Sequence, residues 1–334
     1  MGNGSLIHTA KKVVGKAILA ADESTETIRK RLATIGVDST PEINRQYRQL
    51  LFTATGIEKY ISGVILYDET IRQTSDDGIP FPKLLSGKGI VPGIKVDKGA
   101  VKIPGKNSDT FTQGLDGLGK RLTEYKELGA CFAKWRAVYT IADDGPSLIA
   151  IERNAHDLAL YALICQDVGI VPIIEPEVLM DGDHSFEKNK QLTIKILTAV
   201  FVQARKYSVD LSGVILKPNM ITAGKNNSRQ KNIGTVAETT LQVLNKVVPA
   251  EVAGVAFLSG GQSPPLATDH LNMINKIRNR LKKSYPGKIT ASYGRALQGE
   301  TLEAWAGKKE NVTKAQRVFI SRAEKVYKAG LGQL

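Results

Sequence analysis

Eight short runs of β-branched and other apolar residues alternate along the chain with longer amphipathic stretches. The runs span 17–22, 61–69, 90–97, 131–139, 170–178, 212–219, 254–261 and 289–296. The stretches between them carry helix-start signals. Thr40-Pro41-Glu42 offers an N-cap followed by proline in the first turn. Pro146-Ser147 opens a stretch reaching about 168, and segments at 185–207, 232–247 and 268–283 read the same way. Strands that are apolar almost throughout, and separated by helices, belong to a parallel sheet covered on both faces. Eight such units favour closure into a barrel over an open sheet. No Gly-x-Gly-x-x-Gly follows the first run, which argues against a dinucleotide site.

The expectation is therefore an α/β fold, a (β/α)8 TIM barrel with additional C-terminal helices. At 334 residues the chain fits one barrel domain over 1–334, with a helical segment of about 299–334 packed outside it. The Gly-rich link 97–114 reads as an ordered loop rather than a domain boundary.

Charge narrows the partners. Lysine plus arginine number 46 and aspartate plus glutamate 33, a net +13 that suits anionic ligands. A nucleic-acid arm is not expected. Lys11-Lys12, Lys282-Lys283 and Lys308-Lys309 are isolated doublets, and aromatics make up 6% without interleaving basic residues. Cys131 and Cys165 sit in apolar runs and suit a reducing compartment. No apolar stretch reaches membrane-spanning length, and no signal-peptide core follows residues 1–5. Gly2 lacks the Ser or Thr that a myristoylation motif wants at position 6, where Leu6 stands. A cytoplasmic protein without membrane partners is expected.

Barrel enzymes place their chemistry at the carboxyl ends of the strands. Here those ends are charged: Asp22, then Lys95 and Asp97, Lys134 and Arg136, Glu175 and Glu177, and Lys217. Charges inside apolar runs are costly unless paired or functional. Strand side chains alternate with period 2, so Lys134 shares a face with Arg136, and Glu175 with Glu177. Either pair alone fits a buried salt-bridge layer. With Arg295 at the end of the eighth run, charges on six of eight strands favour a reactive mouth.

Lys217 follows Val214-Ile215-Leu216 and precedes Pro218. An inward lysine next to another has its pKa lowered by burial and like charge, and the neutral amine can form a Schiff base with a carbonyl. Loss of water from the carbinolamine needs a nearby carboxylic acid.

Ser259-Gly260-Gly261 and Gly294-Arg295 end the last two runs and read as a phosphate site of backbone N–H groups plus a guanidinium. A second anion cluster is expected from Ser24, Thr27, Lys95 and Arg136, with Lys30 and Arg31 nearby. Two phosphate sites flanking an amine fit a substrate phosphorylated at both ends. His8, His156, His184 and His270 are scattered without metal-ligand spacing, so no metal site is expected. Two other readings stand here: a different Schiff-base barrel aldolase or transaldolase acting on a sugar phosphate, and a non-catalytic scaffold that holds polyanions.

Seven ordered segments carry a family resemblance. They are Leu19-Ala20-Ala21-Asp22-Glu23-Ser24-Thr25, Gly93-Ile94-Lys95-Val96-Asp97-Lys98-Gly99, Ala133-Lys134-Trp135-Arg136, Val171-Pro172-Ile173-Ile174-Glu175-Pro176-Glu177, Leu216-Lys217-Pro218-Asn219-Met220, Phe257-Leu258-Ser259-Gly260-Gly261-Gln262-Ser263 and Tyr293-Gly294-Arg295-Ala296-Leu297-Gln298. The chain resembles class I fructose-1,6-bisphosphate aldolases, the metal-independent Schiff-base type.

The resemblance implies reversible retro-aldol cleavage of fructose 1,6-bisphosphate in glycolysis and gluconeogenesis, with no cofactor and commonly in a homotetramer. It makes Lys217 the Schiff-base lysine and Glu175 the acid/base for dehydration. Lys134 and Glu177 become its charged neighbours, and Asp22 the carboxylate handling the C4 hydroxyl proton. It assigns Ser259, Gly260, Gly261, Gly294 and Arg295 to the C1-phosphate site. Ser24, Thr27, Lys95 and Arg136 fall in the distal phosphate region, Thr27 standing where relatives often have Ser. Many relatives end in a tail whose last residue is Tyr, proposed to move the C3 proton of dihydroxyacetone phosphate. This chain reads Gly330-Leu331-Gly332-Gln333-Leu334. The role is not carried to Tyr327, and slow proton exchange at C3 is the expectation.

Overall fold

Side-chain alternation on the strands sorts the protein into layers. In the computed structural model, which describes residues 3–105, 108–142, 145–281 and 287–334, the chain runs α1 (Asn3–Val13), β1 (Ala17–Ala20), α2 (Thr25–Ala33), α3 (Pro41–Phe52), β2 (Ile61–Leu66), α4 (Asp68–Ile71), α5 (Phe81–Gly87) and β3 (Val91–Lys95). It continues with β4 (Ala100–Lys102), β5 (Thr110–Thr112), α6 (Leu118–Glu127), β6 (Phe132–Tyr139), α7 (Leu148–Val168), β7 (Val171–Val178) and α8 (Phe186–Lys206). Then come β8 (Ile215–Leu216), α9 (Ile233–Val247), β9 (Gly254–Phe257), α10 (Pro264–Arg280), β10 (Lys288–Tyr293), α11 (Arg295–Trp305) and α12 (Val312–Leu331). Gly2 and the Lys282-Lys283 doublet lie outside the described residues.

Eight strands close a parallel barrel in the order β1, β2, β3, β6, β7, β8, β9, β10, with β10 pairing back to β1. Each falls on one of the eight apolar runs. On β6, Ala133, Trp135, Ala137 and Tyr139 face the surrounding helices, whereas Phe132 packs inside the barrel. On β7, Ile174 and Val178 face outward and Val171 and Ile173 inward. Burial of this many large apolar side chains, each worth about 1.5–3 kcal/mol, drives the closure.

The helices start where the caps stand. Thr40, Ser147, Ser185 and Asn232 each accept a hydrogen bond from a backbone N–H in the first turn that follows. The helix expected at 268–283 instead begins at Pro264 and ends at Arg280, because Ser263 is its cap and Pro264 sits in its first turn. The link 97–114 is also more than a loop: β4 and β5 pair antiparallel within it.

The far end of the barrel is closed from below. Leu6, Ala10, Val13 and Val14, on and just after α1, pack into the interior with Ile18, Ile65, Val91, Phe132, Val171, Ile173, Ile215 and Ala256. Glycines make room for the larger members. A Cβ on Gly93 would stand 2.3 Å from the Phe132 ring, so only glycine fits opposite that phenyl group. After β10 the chain stays helical. α12 lays Phe319, Ala323 and Val326 into the outer core, and Arg322 Nε donates to the Ala296 carbonyl at 2.9 Å.

Candidate active site

The inward positions of the strands change from apolar to charged towards the carboxyl end. Register places Lys95 beside Lys134, and Arg136 beside Glu175. Lys217 follows β8, its N–H donating to the Ile174 carbonyl at 2.8 Å, which sets it next to Glu175. Asp22 follows β1, where the Ala21 N–H donates to Ile65 at 3.0 Å.

These side chains converge. Lys217 Nζ lies 3.0 Å from Glu175 Oε1, and Lys134 Nζ lies 3.4 Å from Glu175 Oε2 and 2.8 Å from Asp22 Oδ2. Lys134, Glu175 and Lys217 are buried. Burial alone would raise the Asp22 pKa and lower that of Lys134. The charges win in both: Lys134, Lys217 and Lys95 hold the Asp22 carboxyl well below the usual range, and Asp22, Glu175 and Asp97 hold the Lys134 ammonium above its own. The pairing thus favours Lys134 as a cation and Asp22 as an anion, the form that can accept a proton.

Glu177 stands one step nearer the mouth. Among the described residues it pairs not with either lysine but with Arg136, whose Nε lies 2.6 Å from Glu177 Oε2. Asp97 was assigned no task from the sequence, yet it is central here. Its Oδ1 is 2.6 Å from Lys95 Nζ, and its Oδ2 is 3.7 Å from Lys134 Nζ and accepts from the Arg136 N–H at 3.3 Å. The signal was the period-2 step from Lys95, which puts both on the inward face.

An open cavity of about 660 Å³ lies against the mouth and is lined by Ser24, Lys95 and Arg136, joined by Lys98, Arg72 and Arg121. Thr27 does not line it; its hydroxyl is 3.0 Å from that of Ser24, the cap of α2. Lys30 also lies apart, in an exposed ion pair with Glu26. Arg31, expected near this distal cluster, does not line the cavity either. Its guanidinium binds Glu23 and stands beside Gly294, within 3.7 Å of where a Cβ there would be.

Gly260 and Gly261 follow β9 at φ +59° and +83°, a left-handed turn that suits glycine and bares its backbone. Ser259 accepts from the Gln262 N–H at 3.1 Å, and the Gln262 side chain meets His270 Nδ1 at 2.6 Å. Burial pushes the His270 imidazole down to about 4, so it supports this turn as a neutral group. Gly294 precedes α11, and Arg295, exposed at the first position of that helix, points no hydrogen bond or ion pair at any other described residue. Tyr327 lies on α12 with its ring 6.0 Å from that of Tyr60.

Comparisons with known proteins give the family. The family model described as "Fructose-bisphosphate aldolase class-I" matches residues 5–334. The chain is 49% identical to fructose-bisphosphate aldolase 4, cytosolic, of Arabidopsis thaliana over 318 residues, covering 95% of this chain and 80% of that one. It is 50% identical to fructose-bisphosphate aldolase C of Carassius auratus, covering 94% and 86%. A co-crystal structure of fructose-bisphosphate aldolase from Plasmodium falciparum, in complex with TRAP and a small-molecule inhibitor, superposes with TM-score 0.95 at 46% identity, covering 99% of this chain and 95% of that one. With a closed barrel, a lysine against a carboxylate at its mouth and these matches over nearly its whole length, the chain belongs to the class I fructose-bisphosphate aldolase family.

Proposed function

We propose that the protein cleaves fructose 1,6-bisphosphate reversibly into dihydroxyacetone phosphate and glyceraldehyde 3-phosphate, with Lys217 as the nucleophile. The observation that carries the assignment of residues is the 3.0 Å approach of Lys217 Nζ to Glu175 Oε1 at the mouth of a closed barrel. Glu175 takes a proton from Lys217, and the amine so freed adds to the C2 carbonyl, giving a carbinolamine. Glu175 protonates its hydroxyl, which leaves as water, and a protonated imine forms. Asp22 takes the proton of the C4 hydroxyl, the C3–C4 bond breaks, and its electron pair flows into the imine as an enamine. The aldehyde departs. Protonation at C3 and hydrolysis of the imine release the ketone and restore Lys217.

Lys134 keeps Asp22 ionised and screens it from Glu175. Ser259, Gly260, Gly261, Gly294 and Arg295, with Arg31 beside them, hold the C1 phosphate. Lys95, Arg136 and Ser24 receive the other phosphate, and Thr27 acts through its hydrogen bond to Ser24. Glu177 orients Arg136.

The test is reduction by borohydride in the presence of dihydroxyacetone phosphate, followed by peptide mapping. Inactivation with the label on Lys217 is expected; label on another lysine, or unchanged activity, rejects the assignment.

We further propose a cytosolic homotetramer. The relatives named cytosolic support the location. Among the described residues no helix is long and apolar enough to cross a membrane. Leu148 and Ile149 on α7 and Val202 on α8 are large apolar side chains about half exposed, which supports self-association. Sedimentation equilibrium at four times the chain mass is the expected result.

A further inference from the structure

Beside the reacting groups lies a second buried set of charges. Arg48 Nη1 on α3 is 2.7 Å from Glu23 Oε2, and both side chains are at most 4% exposed. The other oxygen of Glu23 binds Arg31 on α2 and accepts from Gln298 Nε2 on α11 at 3.0 Å. That amide nitrogen also donates to the Ala20 carbonyl at 2.8 Å, and Gln298 Oε1 accepts from Arg48 Nη1 at 3.4 Å. Side chains from three helices meet on one carboxylate, and Gln298 ties it to the end of β1.

Buried ion pairs repay their desolvation poorly, so stability is a weak account of this arrangement. Its location offers a better one. The nearest atoms to a Cβ built on Gly294 are the Ala20 carbonyl at 3.2 Å, Arg31 Nη2 at 3.7 Å and Glu23 Oε1 at 3.8 Å. The network therefore forms the wall behind the first turn of α11, which Gln298 joins through its N–H to the Gly294 carbonyl at 3.0 Å.

The geometry points to Arg48 as a positioning residue that, through Glu23 and Gln298, sets the phosphate-binding turn at Gly294 and Arg295. The inference rests on the reading of that turn given above. Glu23 is an anion next to a site for an anion, and by charge alone it weakens phosphate binding. Arg48 neutralises it from the buried side. The remaining oxygen is then free to hold Arg31 towards Gly294, while the Gln298 amide pins α11 to β1.

Glu23→Gln separates the two accounts by sign. If Glu23 acts only by its charge, removing it lowers the KM. If it positions, two guanidinium groups lose their shared acceptor and Arg31 leaves the turn. The KM for fructose 1,6-bisphosphate and the inhibition constant of dihydroxyacetone phosphate then rise together by about tenfold, with kcat within about twofold. Arg48→Met should do the same, and Arg48→Lys, which keeps the charge, should recover part of the affinity. An unchanged or lowered KM in Glu23→Gln, or a loss confined to kcat, overturns the inference. Glu23→Gln is nearly isosteric and decides the matter if Arg48→Met does not fold. Borohydride trapping of the unsubstituted enzyme runs alongside. Failure there removes the underlying reading; trapping on Lys217 with unmoved KM values in the variants removes the positioning role alone.

Discussion

Glu175 is shared between two lysines: Oε1 faces Lys217 Nζ at 3.0 Å and Oε2 faces Lys134 Nζ at 3.4 Å. One carboxylate so placed can pass a proton at Lys217 while Lys134, held cationic, keeps the other oxygen in place. Replacing it tests whether the carboxyl carries protons or only binds. Glu175→Gln should lower kcat by about 10²–10⁴-fold, the usual span for a lost acid–base group. Dihydroxyacetone phosphate should still bind, and borohydride should trap the imine slowly. Trapping at the unsubstituted rate would mean that dehydration uses another group.

The pH profile should report the ion pair between Asp22 and Lys134. Cleavage needs ionised Asp22, whose carboxyl the Lys134 charge holds below the usual range. Lys134→Met removes that charge, so the Asp22 pKa rises and protonation begins at higher pH. The acid limb of kcat/KM should move to higher pH in the variant. A limb that stays in place would show that Asp22 does not titrate in the profile.

Arg295 has an exposed guanidinium at the start of α11. Arg295→Ala should weaken fructose 1,6-bisphosphate and dihydroxyacetone phosphate alike, by about 1.5–3 kcal/mol, as expected for a charge-assisted hydrogen bond. Calorimetric titration with dihydroxyacetone phosphate gives the value directly. Equal affinity in the variant would place the C1-phosphate site elsewhere.

Gly93 and Phe132 are a packing pair inside the barrel. Gly93→Ala drives a methyl group into the phenyl ring, and overpacking of this kind costs about 1–3 kcal/mol. Urea unfolding should show the loss, and adding Phe132→Leu should restore part of it. A stable single variant would mean that the ring has room to move.

The barrel was legible in the sequence because its strands are apolar on both faces, so eight runs stand out from amphipathic helices. Asp22, Lys134, Glu175 and Lys217 were legible because charges interrupt those runs at the ends where such barrels work. β4 and β5 were not. Ala100-Val101-Lys102 is three residues long and largely exposed, too short for a periodic signal. The helix beginning at Pro264 was placed four residues late, since its cap Ser263 and first-turn Pro264 directly follow the Ser259-Gly260-Gly261 turn. Arg31 was expected near the distal cluster, because position on a helix does not reveal that it faces Glu23 instead. The answer lies in Glu23, Arg48 and Gln298, whose meeting joins residues as much as 275 positions apart.

The apolar plug formed by Leu6, Ala10, Val13 and Val14 makes the barrel a blind well. Sugar, both three-carbon products and the water shed when the imine forms must all pass one opening. Traffic through it is single file: a fragment still tethered at the bottom waits for the fragment above it to leave. Anything lodged at the rim therefore stops the whole queue, so a molecule touching none of the reacting atoms can silence the enzyme by standing in its doorway.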